Sequence, residues 1–214
     1  MPADPSPARS FPPIAARDAR ILVLGSMPGA ASLAAGRYYA HPHNAFWPIL
    51  GALCGAEPAL PYARRAAALR RAGVALWDVL QSCVRPGSLD ASIEPASMVP
   101  NDFAAFLRDH PRIGAVFCNG GAAFAGWRRH VRPQLVATPF AALPVVQLPS
   151  TSPAHAARTR AQKLAAWRAA LAPWLSTSAD ALVVARVSQT MGKRRGRNGP
   201  ESAEDRRRPR RNTR

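Results

Sequence analysis

Four times along the chain a short apolar run ends in glycine or a turn and gives way to a helix-forming stretch, and this repetition limits the fold more than any other feature. The runs are RILVLGS, from Arg20, VALWDVLQS, from Val74, IGAVFCNGG, from Ile113, and PVVQLPSTSP, from Pro144. Runs of this length, closed by turn residues, read as strands buried on both faces, as in parallel sheets. The first helix expected is NAFWPILGALCG with Asn44 as its N-cap, and the next is PYARRAAALRRAG, ending at Gly73. PNDFAAFLRDHP starts at Asn101 or Asp102 and stops at Pro111; GAAFAGWRRHV follows the third strand. The closing helix is expected from Ser152 as N-cap with Pro153 in first position. Strand and helix in alternation predict an α/β chain: three α/β/α layers around a four-stranded parallel sheet. In such a sheet the ligand crevice lies at the carboxyl ends of the strands, here Gly25–Gly29, Trp77–Gln81, Asn119–Gly121 and Pro149–Ser152.

Composition divides the chain. Residues 1–17 form a Pro-rich lead, 18–176 one domain large enough for a real core, and 177–214 a basic tail expected to be disordered, apart from a short element at ADALVVARVS. The net charge is +17, with 11 Lys/Arg and 4 Asp/Glu in residues 177–214, so the remaining chain holds 18 against 8. A body so rich in arginine suits a polyanionic partner such as nucleic acid, although Ala, Arg and Pro rising together also suit a high-GC genome. No run of about 18 apolar residues occurs and the start lacks a signal-peptide centre, so no membrane partner and a cytoplasmic location are expected, nucleoid-associated if the source is bacterial. Cys54, Cys83 and Cys118 are far apart in apolar contexts, which predicts free thiols and no metal.

The glycine-rich stretch after the first run, GSMPGAASLAAG, lacks the GK[ST] ending of a triphosphate loop and the GxGxxG of a dinucleotide site, and Ser26 is not in GxSxG. No cofactor is expected. Tyr38, Tyr39, Phe46 and Trp47 instead flank HPHN, so flat faces and polar groups share one loop. Flipped nucleobases are read by such combinations. Phe46 and Trp47 equally suit the core side of a helix's first turn, and His41 a surface position.

The blocks GSMPG, GRYYAHPHNAFW, LWDVLQSCVRPGSLDASI, VFCNGG and LPSTSPAHA, in this order between Ile21 and Trp174, resemble the uracil-DNA glycosylase superfamily, and within it the hypoxanthine (deoxyinosine) DNA glycosylase branch. The resemblance implies a glycosylase-like fold and hydrolysis of the N-glycosidic bond of a deaminated base flipped out of DNA, hypoxanthine preferred. Mismatch-specific and single-strand-selective members read GxNPG, where the Asn positions the attacking water; Met27 stands there in this chain. In the hypoxanthine branch that task falls to the Asn of the HPxNxFW block, here Asn44. Leu148 replaces the late His of the common uracil enzymes, leaving His155 as the imidazole that could approach from the following segment.

Such hydrolysis passes through an oxocarbenium-like sugar, so an orienting group for water suffices and no strong base is needed. The expected catalytic residue is Asn44, its alternative being only a helix cap. Phe46 is the expected stacking face (or core), and Asp78 the reader of the base edge (or a loop cap). Gly25, Ser26 and Tyr39 complete the base site. Ser150, Thr151, Ser152, His155 and Asn119 are expected on DNA, Asn119 equally suiting a turn. Neither lysine of the chain, Lys163 or Lys193, lies in a strand-end loop, which predicts a monofunctional enzyme that leaves an abasic site; a monomer is expected. The alternatives are a uracil or broad-range deaminated-base glycosylase, and a nucleic-acid-binding module without catalysis.

Overall fold

The computed structural model describes residues 7–175; the tail, with its ADALVVARVS stretch, lies outside the described residues. In chain order it contains β1 (Ala8–Arg9), β2 (Ile21–Gly25), α1 (Ala30–Ala35), α2 (Phe46–Cys54), α3 (Tyr62–Arg71), β3 (Val74–Asp78) and β4 (Leu80–Cys83). There follow two 3-10 turns, Asp90–Ser92 and Pro95–Ser97, then β5 (Val99–Pro100), α4 (Phe103–Asp109), β6 (Ala115–Asn119) and α5 (Gly121–Gly126). A π-helical turn, Trp127–Val131, joins α5 to α6 (Arg132–Leu135), and β7 (Val145–Leu148) and α7 (Arg160–Leu171) close the fold.

Strands β3, β2, β6 and β7 form the expected four-stranded parallel sheet, in that order. Every residue of β2 is buried because its side chains alternate between two cores. Ile21 and Val23 pack with α2, α3 and α7, through Leu50, Leu69 and Trp167; Leu22 and Leu24 pack with α4 and the α5–α6 segment, through Phe103, Leu107 and Trp127. The three layers therefore follow from one strand with apolar groups on both faces. After β2 the chain moves outward to β3 and then returns to β6 on the other side of β2. The carboxyl ends of β2 and β6 thus flank the point where strand order reverses, the usual position of a ligand crevice.

Three expectations change. VALWDVLQS is not one strand: the chain leaves the parallel sheet at Val79, whose N–H donates to Gly25 O, and β4 joins β1 and β5 in a second, antiparallel sheet. That exit puts Asp78 at the end of β3. Residues 8–14, read as part of a lead, run along the domain, with Ile14 buried and bridged to Leu76. The closing helix starts at Arg160, not after Ser152, because Thr159 and Gln162 form a reciprocal capping box that satisfies its first N–H groups. Asp102 rather than Asn101 caps α4, accepting from Ala105 N–H at 2.9 Å. No described helix is long and apolar enough to cross a membrane.

Candidate active site

The loops after all four parallel strands meet around one cavity of about 280 Å3, lined among others by Gly25, Ser26, Tyr39, Asn44, Asp78 and Asn119. Ser150, Thr151 and Ser152 complete its wall. Nine of the eleven expected site residues therefore share one pocket. Phe46 and His155 do not line it.

Asp78 lies in this pocket. It is 3% exposed, and its Oδ2 has no hydrogen-bond partner. Its backbone is fixed: Asn101, itself buried, donates from Nδ2 to Asp78 O at 2.8 Å. A Cβ at position 25 would collide with Asp78 Oδ1, and would lie 3.1 Å from the Tyr39 hydroxyl, so only glycine lets β2 end beneath this carboxylate. Burial, with repulsion from Asp90 and partial relief from Arg85, pushes the Asp78 carboxyl up to about 8.

Tyr39, with φ 51°, is the one described non-glycine residue in the left-handed region. That turn lays its ring on Phe46, centroids 3.9 Å apart and planes 18° apart. Phe46 is wholly buried, with Tyr39 over its face and Trp47 and Trp167 at its edges. The expectation that Phe46 offers a stacking face to the pocket is therefore corrected: Tyr39 lines the pocket and Phe46 supports it. Position 46 is the first of α2, which turns its side chain into the core.

Asn44 is not the N-cap of α2, a place taken by Ala45, but its Oδ1 accepts from Phe46 N–H at 2.9 Å. This bond orients the amide, and one acceptor site of Oδ1 remains. Ala45 N–H donates to Thr151 O at 3.0 Å, tying the Asn44 loop to the loop after β7. Asn119 holds the same loop: its Nδ2 donates to Thr151 Oγ1 (2.9 Å) and to the Tyr39 hydroxyl (3.1 Å), and its Oδ1 accepts from Thr151 N–H (2.8 Å). Both of its amide hydrogens are thus committed inside the protein. Asn119 is a positioning residue for Thr151 and Tyr39.

Ser150, Thr151 and Ser152 sit in the loop before α7, eight or more residues from its start, and so are not part of the helix's first turn. Thr151 is 1% exposed; the Ser150 and Ser152 hydroxyls accept from Ser152 and Ala154 N–H. His155 faces a neighbouring cavity with Gly120, Ser150 and Arg158, and its buried Nδ1 has no partner. It does not lie on a helix. Met27 and Leu148, the two departures from the family pattern, are 6% and 4% exposed and belong to the cores.

Two residues escaped the sequence reading. Asp90, in GSLDASI, lines the pocket; its Oδ2 accepts from the Ser26 hydroxyl at 2.8 Å, and its Oδ1 lies 3.6 Å from Arg85 Nη1. The Arg85 side chain is 1% exposed and donates to Pro28 O, so it ties the loop after β2 to the loop carrying Asp90. Burial and the Ser26 bond act oppositely on Asp90, and burial prevails, raising its pKa. A lone arginine two residues after Cys83, at the start of a turn-rich loop, was the available signal.

A doubly covered parallel sheet with a small pocket at its reversal point, holding an unpartnered carboxylate, an oriented asparagine and an aromatic face, has the form of a base-excising glycosylase. Residues 12–175 match the uracil DNA glycosylase superfamily, and the chain belongs to it. Among its relatives, a hypoxanthine DNA glycosylase of Methanosarcina barkeri is 35% identical over 113 residues, spanning 52% of this chain and 70% of that one. A hypoxanthine DNA glycosylase of Methanosarcina acetivorans is 31% identical over 116 residues, 54% of this chain and 72% of that one. A solution NMR structure from M. acetivorans, provisionally described as a uracil DNA glycosylase, superposes with a TM-score of 0.61 at 27% identity, covering 76% of this chain and 98% of that one.

Proposed function

We propose that the protein hydrolyses the N-glycosidic bond of a deaminated base in DNA, hypoxanthine preferred, and leaves an abasic site. The observation that carries this reading is the buried Asp78 carboxylate with its open Oδ2 in a pocket small enough for one base. An ionised carboxylate only accepts hydrogen bonds. Hypoxanthine offers it N1–H, whereas adenine presents a lone pair at the same atom and is repelled. The two relatives named as hypoxanthine DNA glycosylases favour this base. Uracil offers N3–H between two carbonyls, so the same carboxylate supports uracil as a second substrate.

In this reading Tyr39 supplies the stacking face, held by Phe46 behind it and by Asn119 at its hydroxyl. Asn44 Oδ1, oriented by Phe46 N–H, holds water with its remaining acceptor site against the sugar. The water adds to a carbon already cationic, so an amide is enough. No step requires a cofactor.

Single-turnover assays on oligonucleotides carrying hypoxanthine, uracil, xanthine or no lesion, with alkali to reveal abasic sites, test the reading. Release should be fastest from hypoxanthine, and Asn44→Ala should lower it by about 10²–10³, the scale of one lost electrostatic or positioning group. Asn44→Asp, which keeps the acceptor for Phe46 N–H, should retain most of both release and stability. No release from any lesion would leave a nucleic-acid-binding module in place of an enzyme.

A further inference from the structure

Asn44 and Thr151 also line a second cavity, of about 300 Å3, whose other walls include His43, Arg160 and Lys163. Lys163 needs an explanation. With Trp167 and Leu171 it makes the buried stripe of α7, at intervals of four, where an apolar side chain would pack without cost. It is 5% exposed, and its Nζ donates to Ser152 O at 3.1 Å. An ammonium has three donors, and among the described residues the one ion pair is Arg85–Asp90, so no carboxylate answers this charge. A buried cation without a counter-charge is unfavourable, and burial accordingly lowers the Lys163 pKa. Arg160, one turn earlier on the same helix, and His43 face the same cavity; no acidic residue lines it.

We propose that this cavity seats a phosphodiester flanking the nucleotide whose base occupies the first pocket, with Lys163 and Arg160 as its charge partners. The inference rests on the glycosylase reading. Asn44 and Thr151 form the wall shared by both cavities, so a sugar held at Asn44 has its base on one side and a phosphate on the other. Lys163 is then a DNA-binding residue in the position of a core residue, and the missing counter-charge is the nucleic acid's own.

The probe is a duplex carrying one deoxyinosine, measured by fluorescence anisotropy at several salt concentrations, alone and with a neutral methylphosphonate at each of the two phosphates flanking the lesion. Lys163→Met and Arg160→Gln should each weaken binding and reduce the slope of log affinity against log salt by about 0.9, the value for one lost phosphate contact. One of the two methylphosphonates should weaken the unmodified protein and have little further effect on Lys163→Met. Arg160 is exposed, so its variant tests the site even where Lys163→Met lowers stability. Unchanged slopes in both variants, or methylphosphonate penalties undiminished by Lys163→Met, would overturn the proposal. Base release by the unmodified protein is scored separately: a phosphate effect without release refutes the glycosylase reading and keeps the seat, and release with both variants binding normally does the reverse.

Discussion

The two sides of the pocket treat polar groups in opposite ways. On the side built by β6 and the loop after β7, Asn119, Thr151 and Tyr39 satisfy one another through hydrogen bonds of 2.8–3.1 Å. On the side built by β3 and the GSLDASI loop, buried atoms stand without partners: Asp78 Oδ2, Arg85 Nε and Arg85 Nη1, the last 3.6 Å from Asp90. A buried polar atom left unpaired costs about 1–3 kcal/mol, so a fold retains one only where something else compensates. The satisfied side is scaffold that fixes Tyr39 and the Asn44 loop. On the unsatisfied side only Asp78 Oδ2 opens on the pocket, since Arg85 does not line it.

The comparison is broken most sharply by titration. With its carboxyl pushed up to about 8, Asp78 is mainly neutral in the empty pocket at pH 6 and half ionised at pH 8. A neutral carboxyl donates as well as accepts, so it no longer rejects adenine, and its bond from hypoxanthine N1–H loses the charge assistance of the ionised form. Because the ionised form binds N1–H more strongly as well as discriminating, hypoxanthine release at subsaturating DNA should rise from pH 6 to pH 8, by up to about 50-fold where the neutral form contributes little. Asp78→Asn, which cannot ionise, should flatten that profile and release hypoxanthine with poorer discrimination against adenine. A pH-independent rate in the unmodified protein would remove Asp78 from base reading.

On the satisfied side the expected effect is smaller and of another kind. Asn119→Ala leaves Thr151 N–H and the Tyr39 hydroxyl without their partner, which should lower stability by about 1–3 kcal/mol. Base release should fall about tenfold through a looser Tyr39 and Asn44, within the range for misplaced groups, while the pH profile keeps its midpoint. Thermal melting and the same single-turnover assay check both. A shifted midpoint would mean that Asn119 contacts the base itself and that the division between scaffold and reader is wrong.

The contrast also explains what could be read from the chain alone. Strands β2, β3 and β6 were legible because burial on both faces leaves apolar runs, and the edge strand β7, exposed at Val146 and Gln147, from a short run closed by a turn; the strand ends followed from them, bringing Gly25, Tyr39, Asn44 and Asp78 into one pocket. Strands β1 and β5, two residues each, carry no pattern of their own and exist only by pairing with β4. The start of α7 was legible and missed: TRAQ holds the Thr and Gln of a capping box, three residues apart, whereas Ser152-Pro153 only imitates a helix start. Phe46 and Tyr39 could not be ordered from sequence, since which aromatic faces the pocket depends on the left-handed turn at Tyr39. Asp90 and Arg85 lie in a loop without periodicity, and the contacts that give them meaning reach back to Ser26 and Pro28.

The smallest expected effect lies in how Asp90 and Arg85 tune Asp78. Asp90 raises the Asp78 pKa by repulsion and Arg85 lowers it. Asp90→Asn removes the repulsion while keeping an acceptor for the Ser26 hydroxyl, so Asp78 should ionise at lower pH and the hypoxanthine profile should move toward acid. Ser26→Ala should move it the same way and less far. The hydroxyl's bond to Asp90 Oδ2 lowers the Asp90 pKa, so its loss leaves Asp90 more often neutral and its repulsion weaker. Both variants leave the Asn119 side untouched and the Asp78 side chain in place, so maximal release at high pH should change less than the midpoint does. An alkaline shift in either variant would show that Asp90 acts on Asp78 mainly through loop position rather than charge, and would make Arg85, the tether between the two loops, the residue that sets the profile.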